Sequence, residues 1–359
     1  MKKQYVLYVI SILLFLFSGW IAGCGGDSST TVVPTPAPST GGPVLFVSGG
    51  TIDDCVSYLL LTTMDNIDLQ GVIITNTDCI ASYAMHTQWK IQSYINNPSV
   101  PITLSDSRGW NPFPWFYRQD CIHQSQLDIL ANYGDNTAWP PYPSGEALLR
   151  ECLSRAIDTG RPLTVLNTCP ITMLRNVLEE NPQLERGIES IIMMGGAVDV
   201  PGNLDPETIP PEIANPKAEW NLFWDPYAFD WILKNTSCPM ILFPLDVTDE
   251  VPVSQEFLST LKTQGEHFRY SELVYQNYDL VGDQPYYRMW NSLTTSYVAR
   301  PDLVEQAVPV ALSIVTDGYE QGTLKRDSGG KTIYVVFNMA DKQGFYSYVL
   351  NQFRRNYAK

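Results

Sequence analysis

Pro43-Val44-Leu45-Phe46-Val47-Ser48-Gly49-Gly50-Thr51-Ile52-Asp53-Asp54 is the stretch whose reading decides the fold. Its first six residues are a short apolar run that ends in two glycines, the pattern of a buried strand entering a tight turn. Two adjacent acids then open a helix expected over residues 53–64, with Val56, Leu59, Leu60 and Leu61 at its apolar positions. Because helix N-termini stabilise negative charge, the two acids also fit a plain cap and first-turn pair.

The same strand-then-helix alternation continues outward from this stretch. Strands are predicted at 69–75, 100–104, 162–166, 188–194 and 239–243, and helices at 81–95, 171–178 and 226–233. Residues 312–318 and 329–336 predict a hairpin, and 342–353 a closing helix. Apolar strands alternating with helices imply the α/β class, with a mainly parallel central sheet flanked by helices on both faces. Ligands of such sheets sit beyond the carboxyl ends of the strands. Residues 48–54, 75–79, 167–170 and 195–198 all follow strands and are therefore expected to face one crevice. Two Pro-rich inserts, 105–139 and 202–216, are expected as loops over it.

Upstream of the first strand the chain changes character. Lys2 and Lys3 precede an apolar run from 5 to 21, and Ile21-Ala22-Gly23-Cys24 ends it. Small residues before a cysteine suit a lipoprotein signal peptidase, so residues 1–23 are expected to be a signal peptide and Cys24 the lipidated mature N-terminus. An uncleaved anchor and an ordinary signal peptide are the alternatives. Residues 24–43, rich in Gly, Ser, Thr and Pro, cannot bury apolar area and predict a flexible tether. Residues 44–359 remain as one large domain.

The formal charge of −15 would repel nucleic acid, so a polyanionic partner is excluded, while a neutral small molecule or a cation is not. Besides Cys24, six cysteines are present in a chain expected in an oxidising compartment, so disulfides are open and their pairing is not readable. His86, His123 and His267 show no metal spacing, and a zinc site is not expected.

Further short segments follow the other strands: Asn167-Thr168-Cys169-Pro170, Met193-Met194-Gly195-Gly196, Ala218-Glu219-Trp220-Asn221 with Asp225-Pro226, Leu245-Asp246-Val247-Thr248, and Trp290-Asn291. Each is weak alone. In this order, across essentially the whole mature domain, they resemble the inosine/uridine-preferring nucleoside hydrolases. That resemblance implies an enzyme that cleaves the N-glycosidic bond of a nucleoside with water, through an oxocarbenium-like transition state and with a calcium ion on the ribose hydroxyls and attacking water. Carried over position by position, it makes Asp54 a calcium ligand and Thr168 a backbone-carbonyl ligand. Asp53, Glu219 and Asn221 become ribose binders. Asn291 falls on a position that contacts both ion and ribose.

The departures bear on chemistry. The family's calcium-binding aspartate and presumed general base aligns with Gly49, which can do neither job. Val47 and Thr51 replace an aspartate and a glycine of the same motif, and Asn291 replaces a carboxylate. Of three family carboxylates only Asp54 is kept, so the calcium site is expected to be weak. Asp78, after the second strand, is a candidate relocated carboxylate for catalysis and metal binding, or else an ordinary loop acid. In the aromatic segment 110–118, Trp115 could stack on a base or sugar ring, or simply pack its loop. His123 could protonate a leaving base, although a solvated loop histidine is the plainer reading.

The expectation is a calcium-assisted ribonucleoside or riboside hydrolase, anchored by lipid at the cell envelope, with Asp53, Asp78 and Asn291 nearest the chemistry. The alternative is a ribose-binding surface lipoprotein whose catalysis is impaired. Homo-oligomerisation stays open.

Overall fold

The computed structural model describes residues 42–77, 79–97, 99–111, 119–133, 142–205, 207, 209–212 and 214–356. The leader, most of the tether, Cys24, Asp78 and Trp115 lie outside the described residues.

In chain order the elements are β1 (Pro43–Ser48), α1 (Ile52–Leu61), β2 (Asp68–Ile74), α2 (Ala81–Tyr94), β3 (Ile102–Leu104), α3 (Asp120–Ser125), α4 (Gly145–Thr159), β4 (Leu163–Asn167), α5 (Thr172–Glu180) and β5 (Ile188–Met194). There follow α6 (Trp220–Trp224), α7 (Pro226–Asn235), β6 (Met240–Phe243), α8 (Leu245–Thr248), α9 (Gln255–Gly265), α10 (Arg269–Asp279), α11 (Trp290–Ser296), β7 (Val308–Ile314), β8 (Leu324–Arg326), β9 (Lys331–Val335) and α12 (Lys342–Gln352).

The strands form one sheet in the order β3-β2-β1-β4-β5-β6-β9-β7-β8. The ladder is parallel from β3 to β9, and β7 runs antiparallel to both β9 and β8. The chain starts in the middle, builds outward to β3, then crosses back to build the other half from β4. That reversal places a topological switch point between β1 and β4, where ligands of open α/β sheets bind. The expected mainly parallel sheet flanked by helices is therefore the observed one.

Alternate residues of β1 face opposite layers, as strand geometry requires. Val44 and Phe46 pack with α1, α2 and α9–α12, whereas Leu45 and Val47 pack with α4, α5 and α7. All ten residues of α1 are buried, including Asp53 and Asp54. A helix enclosed on every side cannot leave its acids to solvent, so their partners must come from the protein.

Two sequence expectations are corrected, and the open matter of disulfides is answered for four cysteines. The insert 105–139 is not all loop: it contains α3, which packs against the α2 layer and carries His123 as an exposed residue in its last turn. The terminal hairpin has an extra strand: β7 pairs with β9 as expected, and β8 lies in sequence between them but pairs on β7's other edge. No disulfide involves Cys55, Cys152, Cys169 or Cys238, which are free thiols.

Candidate functional site

The turn from β1 into α1 is made by Gly50, whose φ of +76° suits glycine, and where a Cβ would lie 2.3 Å from Ala84 Cβ. Thr51 caps α1: its hydroxyl accepts from the Asp54 N–H, and Thr51 N donates back to Asp54 Oδ2 at 3.0 Å, a capping box. The cap turns the Asp54 carboxylate toward the switch point.

There, Asp54 Oδ1 accepts from Thr168 Oγ1 at 2.6 Å and from Asn291 Nδ2 at 2.9 Å. Oδ2 accepts from both the backbone N–H and the hydroxyl of Thr51. Thr168 follows β4, and its N–H donates to Val47 O at 2.9 Å, so the β1–β4 seam itself sets this contact. Burial pushes the Asp54 acid up to about 7, against these hydrogen bonds, which lower it.

Asp53 points the other way along α1. Its Oδ2 accepts from the N–H groups of Asn291 at 2.6 Å and Ser292 at 3.1 Å, at the start of α11. Oδ1 accepts from Ser292 Oγ at 2.5 Å and from the hydroxyl of Tyr278 on α10. Asp53 thus serves α11 as an acid bound to its unpaired N-terminal amides. Both oxygens are engaged by protein donors, so the expected bond from Asp53 to a ribose hydroxyl would require one of those donors to give way.

Glu219 has a different surplus. It is the N-cap of α6, and its Oε2 accepts from Asn221 N at 2.9 Å, Leu222 N at 3.3 Å and Gly196 N at 2.8 Å. Its Oε1 accepts no hydrogen bond among the described residues. Burial raises this acid to about 7. Gly196 reaches Glu219 through a positive φ of +83°, where a Cβ would meet Leu324 Cδ1 at 2.6 Å. Asn221 Nδ2 donates to Met194 O at 3.2 Å and lies 3.4 Å from Thr168 O, which leaves its own Oδ1 without a protein donor among the described residues.

Asp53, Asp54, Thr168, Asn291, Asn221 and Glu219 thus form one connected network, through the Asn291 N–H and amide, the Thr168 hydroxyl and carbonyl, and the Asn221 N–H. Of the side chains the sequence singled out, these six are brought together, His123 stands apart on α3, and Asp78 and Trp115 lie outside the described residues. Of two asparagines near the site, Asn203 stands by α6 and accepts from Trp220 N at 3.3 Å, whereas Asn215 is turned to Gln321 and Thr323. Sequence reasoning missed Tyr278 and Ser292. Tyr278 lies in a helix that no motif marked, and Ser292 was legible only as a neighbour of Asn291. Asp246, which the sequence marked only as part of a strand-end segment, accepts from the N–H groups of Val198 and Asp199 and so pins the loop after β5.

The donor set fits calcium poorly. That ion takes six to eight oxygens and is favoured by charged ones. Among the described residues, no group of three acid, histidine or cysteine side chains converges on a common point. Asp54 already has two donors on each oxygen. Among the described residues of the site, the side-chain oxygens facing no protein donor belong to Glu219, Asn221 and Asn291, which suits sugar hydroxyls.

The family profile described as inosine-uridine preferring nucleoside hydrolase matches residues 45–347. The chain is 26% identical over 296 residues to nucleoside hydrolase 3 of Arabidopsis thaliana, a match that covers 67% of this chain and 33% of that protein. It is 23% identical over 204 residues to a pyrimidine-specific ribonucleoside hydrolase of Klebsiella pneumoniae, covering 56% of this chain and 59% of the relative. Both matches span less than two thirds of the relative's length. Among solved structures, an inosine-uridine preferring nucleoside hydrolase from Bacillus anthracis superposes with a TM-score of 0.78 at 28% identity, covering 87% of this chain and 99% of that one.

Proposed function

The chain belongs to the inosine-uridine preferring nucleoside hydrolase family, and from that premise we propose that it binds a ribonucleoside or related riboside at the β1–β4 switch point and hydrolyses its N-glycosidic bond. Water adds to the anomeric carbon, the C–N bond breaks with its electron pair on the leaving base, and the proton released by water ends on that base. Glu219 carries this reading: a buried carboxylate fixed by three N–H groups on Oε2 that keeps Oε1 for a ligand. In our reading Oε1 accepts a ribose hydroxyl, and Asn221 and Asn291 offer amide oxygens beside it. Fixed negative charge there favours a sugar ring that turns cationic as the bond breaks. Asp53 acts through α11, holding Asn291 in place.

Nucleoside hydrolases of this family are commonly metal-dependent. Calcium is the ion the resemblance assigns, with Asp54, the Thr168 carbonyl and Asn291 as its residues, and Asp78 is the candidate relocated carboxylate beside them. The poor fit at Asp54 argues against routing a step through it. Gly49 leaves the position of the family's base without a proton acceptor, and this favours a second reading: a riboside-binding protein with slow or absent turnover. We further propose that Cys24 carries lipid and holds the domain at the cell envelope, on the strength of the small residues before it and the tether after it.

Incubation with inosine, uridine and p-nitrophenyl riboside, following release of base or nitrophenol, tests the first reading. Turnover that Glu219→Gln lowers at least tenfold supports it. Saturable riboside binding without turnover supports the second, and neither binding nor turnover defeats both. Failure of Cys24→Ser to change detergent partitioning would remove the anchor.

A further inference from the structure

Asp54 is surrounded by hydrogens where a divalent ion would need lone pairs. Thr51 N and Thr51 Oγ1 donate to Oδ2 at 3.0 Å each, and Thr168 Oγ1 and Asn291 Nδ2 donate to Oδ1 at 2.6 and 2.9 Å. The Asn291 contact is the most telling. Two oxygens facing each other at such a distance would require a cation to hold them, whereas an amide N–H meets a carboxylate without one. The neighbouring position is tight as well. A Cβ on Gly49 would lie 3.3 Å from Asp54 Oδ2, but it would also lie 3.0 Å from Thr77 Cγ2 and 3.1 Å from Thr77 Oγ1. Thr77 fills that space and donates its hydroxyl to Gly49 O at 3.0 Å. The resemblance puts carboxylates at 49 and 291, where this chain has Gly49 and an amide, and Thr77 packs beside Gly49, an arrangement of hydrogen-bonding and packing chemistry rather than ion binding.

We infer that the donors of Asn291, Thr168 and Thr51 take the place of a divalent cation at Asp54, so that this switch point is assembled and held together without calcium. The inference deepens the proposed function and rests on it only for the sugar. The buried carboxylate is compensated by dipoles and N–H groups built into β1, β4 and α11, a device that needs no free ion and does not respond to chelation.

Calcium alone is the probe, and no substrate is present, so failure here is separable from failure of the hydrolase reading. The purified full chain is stripped with EDTA, then titrated with calcium chloride by calorimetry and followed by thermal unfolding at matched ionic strength. The expected result is no saturable heat and a Tm unchanged within about 2 °C at ~10 mM calcium. The double variant Gly49→Asp/Asn291→Asp restores two carboxylates beside Asp54. It is expected to unfold at lower temperature in EDTA and to gain a one-to-one calcium isotherm with a Tm rise above about 5 °C. Should it fail to fold, Asn291→Asp alone is read in the same way. A wild-type isotherm with Kd below about 1 mM that Asp54→Asn or Asp78→Asn abolishes overturns the inference. So does a folded double variant that remains indifferent to calcium.

Discussion

The amide of Asn291 donates to Asp54 Oδ1 at 2.9 Å across 237 positions of sequence, while the N–H of the same residue donates to Asp53 Oδ2 at 2.6 Å. One residue at the head of α11 therefore serves both acids of α1, and it does so with different atoms. The two carboxylates diverge by one helical step, so no single side chain could reach both. Backbone and side chain of one residue can. The docking of α11 on α1 and the arrangement of the switch point are consequently one structural event.

Truncating that residue should expose the linkage. Asn291→Ala leaves Asp54 buried with one donor fewer and is expected to cost roughly 1–3 kcal/mol, while the backbone bond to Asp53 persists. Urea unfolding measures it. A loss below ~0.5 kcal/mol would mean that Asp54 does not depend on the amide.

Tyr278 contributes a hydroxyl to Asp53 from α10, a helix outside the motifs. Removing that oxygen in Tyr278→Phe keeps the ring and deletes a donor to a buried acid. A loss of about 1.5–3 kcal/mol is expected, typical of a hydrogen bond to a charged partner. If Asp53 instead served only a ligand, the free protein would be no less stable.

Glu219 supplies a pH signature. Its acid is raised from 4.5 to about 7 by burial. Between those values the unfolded chain has released the proton and the folded chain still holds it, so stability is full below pH 4.5 and falls as pH rises through about 7. The cost is on the order of 3 kcal/mol. Asp54, raised to about 7 by the same cause, adds to the slope. Unfolding free energies across this range should therefore decline in the wild type and decline less in Glu219→Gln. Parallel curves for the two proteins would contradict the shift.

At the β1–α1 turn, Gly50→Ala forces a Cβ to within 2.3 Å of Ala84 Cβ at a φ of +76°. Backbone strain alone costs roughly 1–2 kcal/mol, and the clash with α2 adds to it. Little soluble protein is expected, or a Tm lower by about 10 °C or more. Gly318→Ala has a similar φ, also +76°, but open space around it, and should lose only the strain component.

Local signals determined much of this protein before any coordinates. The apolar runs of β1, β2, β4, β5 and β6, the glycines that follow β1 and β5, and the ordered strand-end segments specified a parallel sheet, its loaded edge and the family. Those signals are short-range: continuous apolar runs, turn chemistry and N-caps each involve a few consecutive residues. Helices α4, α9 and α10 went unread, since no strand-end motif drew attention to them. What only the tertiary structure decided is how the acids are used. Asp53 and Asp54 are adjacent in sequence and alike in chemistry. One faces α11 and Tyr278, the other Thr168 and Asn291, because consecutive residues of a fully buried helix point about 100° apart into different neighbours. Glu219 alone among the described acids Asp53, Asp54 and Glu219 keeps an oxygen for a ligand, because α6 and the Gly196 turn supply N–H groups to only one side of its carboxylate.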